Sequence, residues 1–242
     1  MSQALDAAEL TVADMLERFG PIPAHRIRHE PRPGTATEQD VVELSLHEDR
    51  LYELVDGVLL EKMMGFYESY LALRLAKLLS NFVDDNDLGI VLGADGMVRL
   101  APGLVRIPDV AFVSWDRLPQ RRIPRDPIPC LAPDLAVEVL SKGNTKQEMA
   151  RKLEDYFSAG VRLVWHLDPK TATGQCYTSA TSSAKVERRT DGVWATDWAT
   201  GCERCGAGWD PPVAAVRKPA AMRARPLLPP FPPFGERAGG DC

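Results

Sequence analysis

The chain has 242 residues, 26% of them charged and 45% hydrophobic, the make-up of a globular protein long enough to bury its own core. Its 34 acidic residues outnumber 29 lysines and arginines, for a formal net charge of −5; this counts against a dedicated basic nucleic-acid scaffold but not against a nuclease, whose metal ions bring local positive charge. No apolar run reaches the roughly 18 residues of a membrane span, Met1 to Gly20 lacks the apolar run of a secretory signal, and the five cysteines form no disulfide framework, so a cytoplasmic protein is expected.

Leu5 to Phe19 carries apolar residues at Leu10, Val12, Met15, Leu16 and Phe19, which predicts a short amphipathic helix closed by Gly20-Pro21. Pro21 to Gln39 reads as a loop. Leu51 to Val55 and Val58 to Leu60 flank Asp56-Gly57, a strong hairpin signal. Phe66 to Val83 has the longest helical period. The Asp84-Asp85-Asn86-Asp87 run after it reads as a solvated helix end, because it lacks the ligand spacing and central glycine of a calcium loop. Ile90 to Leu92 and Met97 to Leu100 read as strands, and Pro102-Gly103 as a turn.

The segment Val105 to Pro169 is the most informative. Val110 to Trp115 and Leu135 to Leu140 are short β-branched runs of the kind buried on both faces of a sheet. Asp109 opens the first, and Glu138 sits between two valines in the second. A buried carboxylate is costly unless it is paired or holds a metal. Thr145-Lys-Gln-Glu148 is a capping box that starts a helix, and Gly160 ends it. Met149, Leu153, Tyr156 and Phe157 form its apolar stripe, with Lys152 on the flank. Val161 to Leu167 is a further strand, and Gln175 to Thr178 with Lys185 to Arg189 make a last meander. From about Thr200 the chain is rich in proline and glycine and lacks apolar period. Its Cys202-Glu-Arg-Cys205 pair has no second pair to complete a zinc site.

Two carboxylates on neighbouring strands with a nearby lysine are the parts of a metal-dependent phosphodiester hydrolase. The bland alternative is that strand-end aspartates cap turns and a flank lysine reaches to water. Glu138 resists that alternative most, because valine stands on both sides of it.

The order Tyr-Glu-Leu-Val-Asp-Gly (52–57), Pro-Asp-Val-Ala-Phe-Val (108–113), Pro-Asp-Leu-Ala-Val-Glu-Val-Leu-Ser (133–141), Lys152-Leu-Glu-Asp-Tyr156 and Ala-Gly-Val-Arg-Leu-Val-Trp-His-Leu-Asp-Pro (159–169) closely resembles the Uma-two family, over about Glu43 to Ser179. That family is placed in the PD-(D/E)XK restriction-nuclease superfamily. The resemblance implies an α/β fold with a restriction-endonuclease-like mixed sheet flanked by helices, preceded by an N-terminal helix and hairpin. It implies a magnesium or manganese site held by Asp109 and Glu138, with Lys152 and Glu53 assisting. The superfamily lysine normally follows the second acid by two, where this chain has Leu140, and the resemblance moves that role to Lys152. A histidine usual at the start of the long helix is replaced by Gly65-Phe66-Tyr67-Glu68.

The expectation is therefore a metal-dependent endonuclease that hydrolyses DNA with activated water, and that resemblance leaves room for a homodimer. The rivals are a non-catalytic nucleic-acid- or protein-binding module on the same fold, and an enzyme acting on another phosphoester. The expected organisation is an N-terminal helix and loop over 1–40, a nuclease-like domain over 41–199, and a disordered tail over 200–242.

Overall fold

The computed structural model describes residues Leu10 to Glu187. The expected tail and its cysteine pair lie outside the described residues. In chain order the elements are α1 (Val12–Phe19), α2 (Glu38–His47), β1 (Tyr52–Val55), β2 (Val58–Glu61), α3 (Phe66–Asp85), β3 (Gly89–Leu92), β4 (Val98–Ala101), β5 (Leu104–Arg106), β6 (Val110–Ser114), β7 (Leu135–Val139), α4 (Lys146–Ser158), β8 (Leu163–Asp168), β9 (Thr173–Tyr177) and β10 (Ser183–Glu187). Among the described residues, no helix is long and apolar enough to cross a membrane.

Three of the helices start by the same local chemistry. Thr11 with Asp14, Thr37 with Asp40, and Thr145 with Glu148 each form a reciprocal capping box. The threonine oxygen takes the third helical amide, and the acid takes the amide of the capping residue. This corrects the expected start of the first helix. Leu10 and Thr11 are not helical, and Thr11 caps a helix that begins at Val12. It also reveals α2, whose start overlaps the end of the expected loop, since that stretch gives way to Thr37 and its cap.

The mixed sheet expected from the sequence has six strands in the order β10-β9-β8-β7-β6-β3, with β7 and β8 parallel and the other neighbours antiparallel. The helix α4 connects the parallel pair, as parallel strands require. The β1–β2 hairpin belongs to a second sheet, ordered β2-β1-β5-β4. Strand β5 completes that sheet after the Pro102-Gly103 turn.

The six-stranded sheet is covered on both faces. Ala72, Leu79 and Val83 of α3 pack on Val110, Phe112, Leu135, Val137 and Val139. Leu153 and Tyr156 of α4 pack on Ala136 and Val164. Each such fully buried aliphatic side chain contributes roughly 1.5–3 kcal/mol. Strand alternation then fixes a consequence for the site: because Val137 and Val139 face α3, Glu138 must face α4.

The hairpin turn is built as its sequence demands. Asp56 and Gly57 have φ of 50° and 72°, the left-handed pair of a type I′ turn. A Cβ on Gly57 would lie 2.5 Å from both the carbonyl carbon and the oxygen of Gly34. The Gly57 carbonyl in turn accepts from the Gly34 and Ala36 amides at 2.8 and 3.0 Å. Gly57→Ala should therefore lower the unfolding free energy by about 1–3 kcal/mol through combined strain and clash, read from the urea midpoint at unchanged slope.

Candidate active site

Four elements converge between the two sheets. Val110 pairs with Val137 across β6 and β7, so Asp109, one residue before β6, stands opposite Glu138. The Asp109 amide donates to the Val137 carbonyl at 2.9 Å, and the Val139 amide donates to Asp109 Oδ2 at 2.6 Å. Cross-strand neighbours of this kind hold their Cβ atoms about 4.5–5.5 Å apart. Both acids are 5% exposed. Glu53 approaches from β1 of the other sheet and is 2% exposed.

Lys152 lies above them on α4. Its Nζ is 3.0 Å from both oxygens of Glu138 and 3.0 Å from Glu53 Oε1. The Tyr156 hydroxyl, one helical turn on, donates to Glu138 Oε1 at 2.7 Å. Glu148, one turn back, receives two bonds from Arg26 at 2.9 and 2.7 Å. Residues 148, 152 and 156 thus form one buried polar stripe beside the apolar one, as the four-residue spacing dictates. Lys152, on the flank of the apolar stripe, is 4% exposed and turned inward to the carboxylates rather than outward to water.

Three further side chains complete the network. Arg106 ends β5 and is 1% exposed. It reaches Glu53 Oε2 at 2.8 Å and Asp155 Oδ2 at 2.5 Å. Lys62, directly after β2, is 2.8 Å from Asp109 Oδ1. His166 of β8 is the register partner of Glu138 and is 5% exposed. Its ring lies 4.9 Å from that of Tyr177, and its Nε2 has no hydrogen-bond partner among the described residues.

The charges set one another. Burial opposes the Glu53 carboxylate, but Lys152, Arg106 and Lys62 together overcome it and hold its pKa at about 2. Burial pushes the Glu138 pKa up, and the Asp109 and Glu53 charges add to that push against the pull of Lys152. Burial works against the Lys152 ammonium, yet Glu138 and Glu53 prevail and raise its pKa. Lys152 is thus a fixed positive charge at neutral pH and not a base. Burial lowers the His166 pKa to about 4, so this ring is neutral at physiological pH.

The four expected site residues, Glu53, Asp109, Glu138 and Lys152, are therefore brought together. Arg106, Lys62, Tyr156 and His166 are also there, and the sequence reading assigned them no role. For Arg106 and His166 a signal existed. Each is a lone polar residue between apolar neighbours in a strand, the same cue that singled out Glu138. For Lys62, whose partner is 47 positions away, no local cue exists.

Among the described residues no group of three or more histidine, cysteine, aspartate or glutamate side chains forms a ready cage for a metal ion. Asp109 and Glu138 nonetheless fit magnesium by donor type. That ion takes hard oxygen ligands, keeps several waters, and is held by one or two carboxylates together with substrate phosphate.

Arg106→Met should destabilise the fold by about 3–5 kcal/mol, because it takes a buried partner from both Glu53 and Asp155 and leaves them to Lys152 and Arg151. Arg106→Lys should recover only part of this, since one ammonium cannot reproduce the forked contacts. Urea unfolding of both variants checks the ordering.

Stability should also fall in acid in two windows. The folded-state pKa of His166 lies below its ordinary 6.5, so the unfolded chain binds the extra proton first. Its contribution is full above pH 6.5 and is lost as pH falls toward about 4. The Glu53 contribution is full above its ordinary 4.5 and is lost toward about 2. A melting-temperature profile of His166→Leu should be flatter than that of the wild type between pH 6.5 and 4.

The Uma2 family model, described as “Putative restriction endonuclease”, matches residues 38–196. Among solved structures, the chain is similar to that of “a putative nuclease belonging to DUF820 from Anabaena variabilis”. The TM-score is 0.51 and the identity 17%, over 58% of this chain and 78% of that one. At that identity the likeness carries the fold alone. No curated protein matches the sequence. The family match spans well over half of the chain and takes in Glu53, Lys62, Arg106, Asp109, Glu138 and Lys152, and the chain belongs to the Uma2 family.

Proposed function

We propose that this protein is a divalent-metal-dependent endonuclease acting on DNA, with Asp109 and Glu138 as metal ligands. The observation that carries the reading is the meeting of Asp109, Glu138, Glu53 and Lys152 on the α4 side of the sheet. Family membership supports the reaction class.

A divalent ion held there would polarise the phosphoryl group and lower the pKa of an attacking water. The chain's own residues do the rest. Lys152, kept charged by its two carboxylates, offsets negative charge that builds on the phosphorane. Glu53 is held ionised by Lys152, Arg106 and the Ile107 amide, the last at 3.0 Å, so it can orient a water without taking up its proton. The Tyr156 hydroxyl fixes the Glu138 carboxylate. The α4 face excludes bulk water from all of them, which strengthens each interaction.

A pocket of about 540 Å³ opens beside the site, where the chain leaves Lys62 and where the parallel strands β7 and β8 end. Open α/β sheets take ligands at the carboxyl ends of such strands. Its walls include Met63, Tyr67, Lys142 and Lys170. Lysines for phosphates and a tyrosine face for a base are what a nucleic-acid strand needs. Glu68 also lines the pocket, so its basic character rests on Lys142 and Lys170.

A second reading, a binding module without catalysis, draws on one observation: each site carboxylate is already neutralised by an internal cation. Purified protein incubated with plasmid DNA and magnesium or manganese separates the two readings. The endonuclease nicks or linearises the plasmid, and Glu138→Ala does not. Lys152→Gln should lower cleavage by roughly two orders of magnitude or more, and Lys152→Arg should rescue little. Because Lys152 is buried between two acids, each variant also needs its folded fraction measured. Replacing Lys142 and Lys170 together by glutamine should make DNA binding less salt-dependent, reducing the log–log slope by about two.

A further inference from the structure

The backbone of Lys62 is fixed at the open end of the hairpin, where its amide donates to the Leu51 carbonyl at 2.8 Å. Its side chain leaves that sheet and ends beside the other one. Nζ lies 2.8 Å from Asp109 Oδ1 and also donates to the Ile107 carbonyl. Both the Lys62 and Asp109 side chains are 7% exposed. The other Asp109 oxygen is taken by the Val139 amide. The one oxygen of Asp109 that faces no backbone amide is therefore capped by an ammonium group.

Three buried cations serve this cluster, and they are not equivalent. Lys152 bridges Glu53 and Glu138, and Arg106 bridges Glu53 and Asp155. Removing either would take an ion-pair partner from two carboxylates at once. Lys62 holds a single carboxylate and a neutral carbonyl, so releasing it exposes one charge only. The residue after it, Met63, is 45% exposed and lines the pocket. An ammonium and a divalent ion use the same oxygen lone pairs, and a buried carboxylate needs one cation or the other.

We infer that Lys62 is the resident cation of the metal position: it neutralises Asp109 in the metal-free protein and must leave Asp109 before a divalent ion binds there. This rests on the reading that Asp109 is a metal ligand. Lys62 is then a positioning residue that sets metal affinity and lets the site persist without metal. Its partner carboxylate stays paired in both states.

The test is calorimetric titration of the full chain with manganese chloride, wild type beside Lys62→Met, with no DNA present. The variant should bind manganese about tenfold or more tightly, the scale on which groups supporting metal ligands tune affinity. Without metal it should melt below the wild type, and manganese should raise its melting temperature by more. Should the variant fold poorly, the wild type supplies an independent readout. Acetic anhydride labelling of Lys62, followed by mass spectrometry, should rise several-fold at manganese saturation. Equal or weaker manganese binding by a folded Lys62→Met overturns the inference and leaves the nuclease reading standing. So does unchanged Lys62 labelling in manganese-saturated wild type. Absence of manganese binding by both proteins overturns the inference and the metal reading together.

Discussion

Lys152 is the point on which the two sheets and α4 depend together. One ammonium touches Glu53 of the four-stranded sheet and both oxygens of Glu138 in the six-stranded sheet. Arg106 links the smaller sheet to Asp155 on α4, and Lys62, just after β2, reaches Asp109 at the start of β6. Where most domains close such a junction with apolar side chains, this one closes it with charge. Four carboxylates face three buried cations, and Arg151 adds a fourth cation to Asp155 from the half-exposed rim, at 2.9 Å.

Such a junction is a poor way to stabilise a fold. Each buried ion costs several kcal/mol of desolvation, and well-packed hydrophobic residues of the same size often do as well or better. The apolar clusters on both faces of the large sheet supply the stability that tolerates it. A charged junction is worth keeping for what it can do. It holds Glu53 ionised in a dry place and keeps a lysine protonated beside it, which is the electrostatic preorganisation that phosphoryl chemistry requires. His166 fits the same pattern, as a buried neutral ring carried at a cost beside Glu138.

The strands and helices were largely legible because their causes are local. The Asp-Gly turn, the valine-rich runs and the Thr145 capping box each read correctly. Thr37 and Asp40 carry the same capping signal, but they fall at the end of a proline-rich stretch that reads as a loop. The site was legible in part. Glu138 announced itself by standing between valines, yet Arg106 stands between Val105 and Ile107 in the same way and was passed over. Asp109 and Asp134 both follow a proline, and both are buried. Asp134 lies at the far end of β7, where Arg117 and the Ser114 amide each bond it at 2.8 Å. Sequence cannot tell the two aspartates apart, because only the strand register decides which one meets Glu138. Partners 53 positions apart, such as Glu53 and Arg106, are set by how the sheets pack, and no window of sequence holds both.

Placing the proposed site lysine on a helix and not on a strand has a structural consequence. A lysine at position 140 would be held by the β7–β8 ladder, where the Leu140 amide bonds the Leu167 carbonyl at 2.8 Å. Lys152 is instead only as well placed as α4 is docked. The start of α4 is tied down by the N-terminal segment. Thr145 donates to the Phe19 carbonyl at 2.5 Å, and Arg26 clamps Glu148, the Gly143 carbonyl and the Glu61 carbonyl at once. Arg26 is 3% exposed and Glu148 1%, and burial of the Glu148 carboxylate is overcome by that clamp, which lowers its pKa. Glu148 lies one turn from Lys152, so an error in docking at the clamp passes along the helix to the ammonium with little to absorb it. A shift of about 1 Å in a catalytic group is enough to cost two orders of magnitude in rate. The segment from Phe19 to Arg26, distant in sequence from every carboxylate of the site, thereby helps to hold the lysine in place.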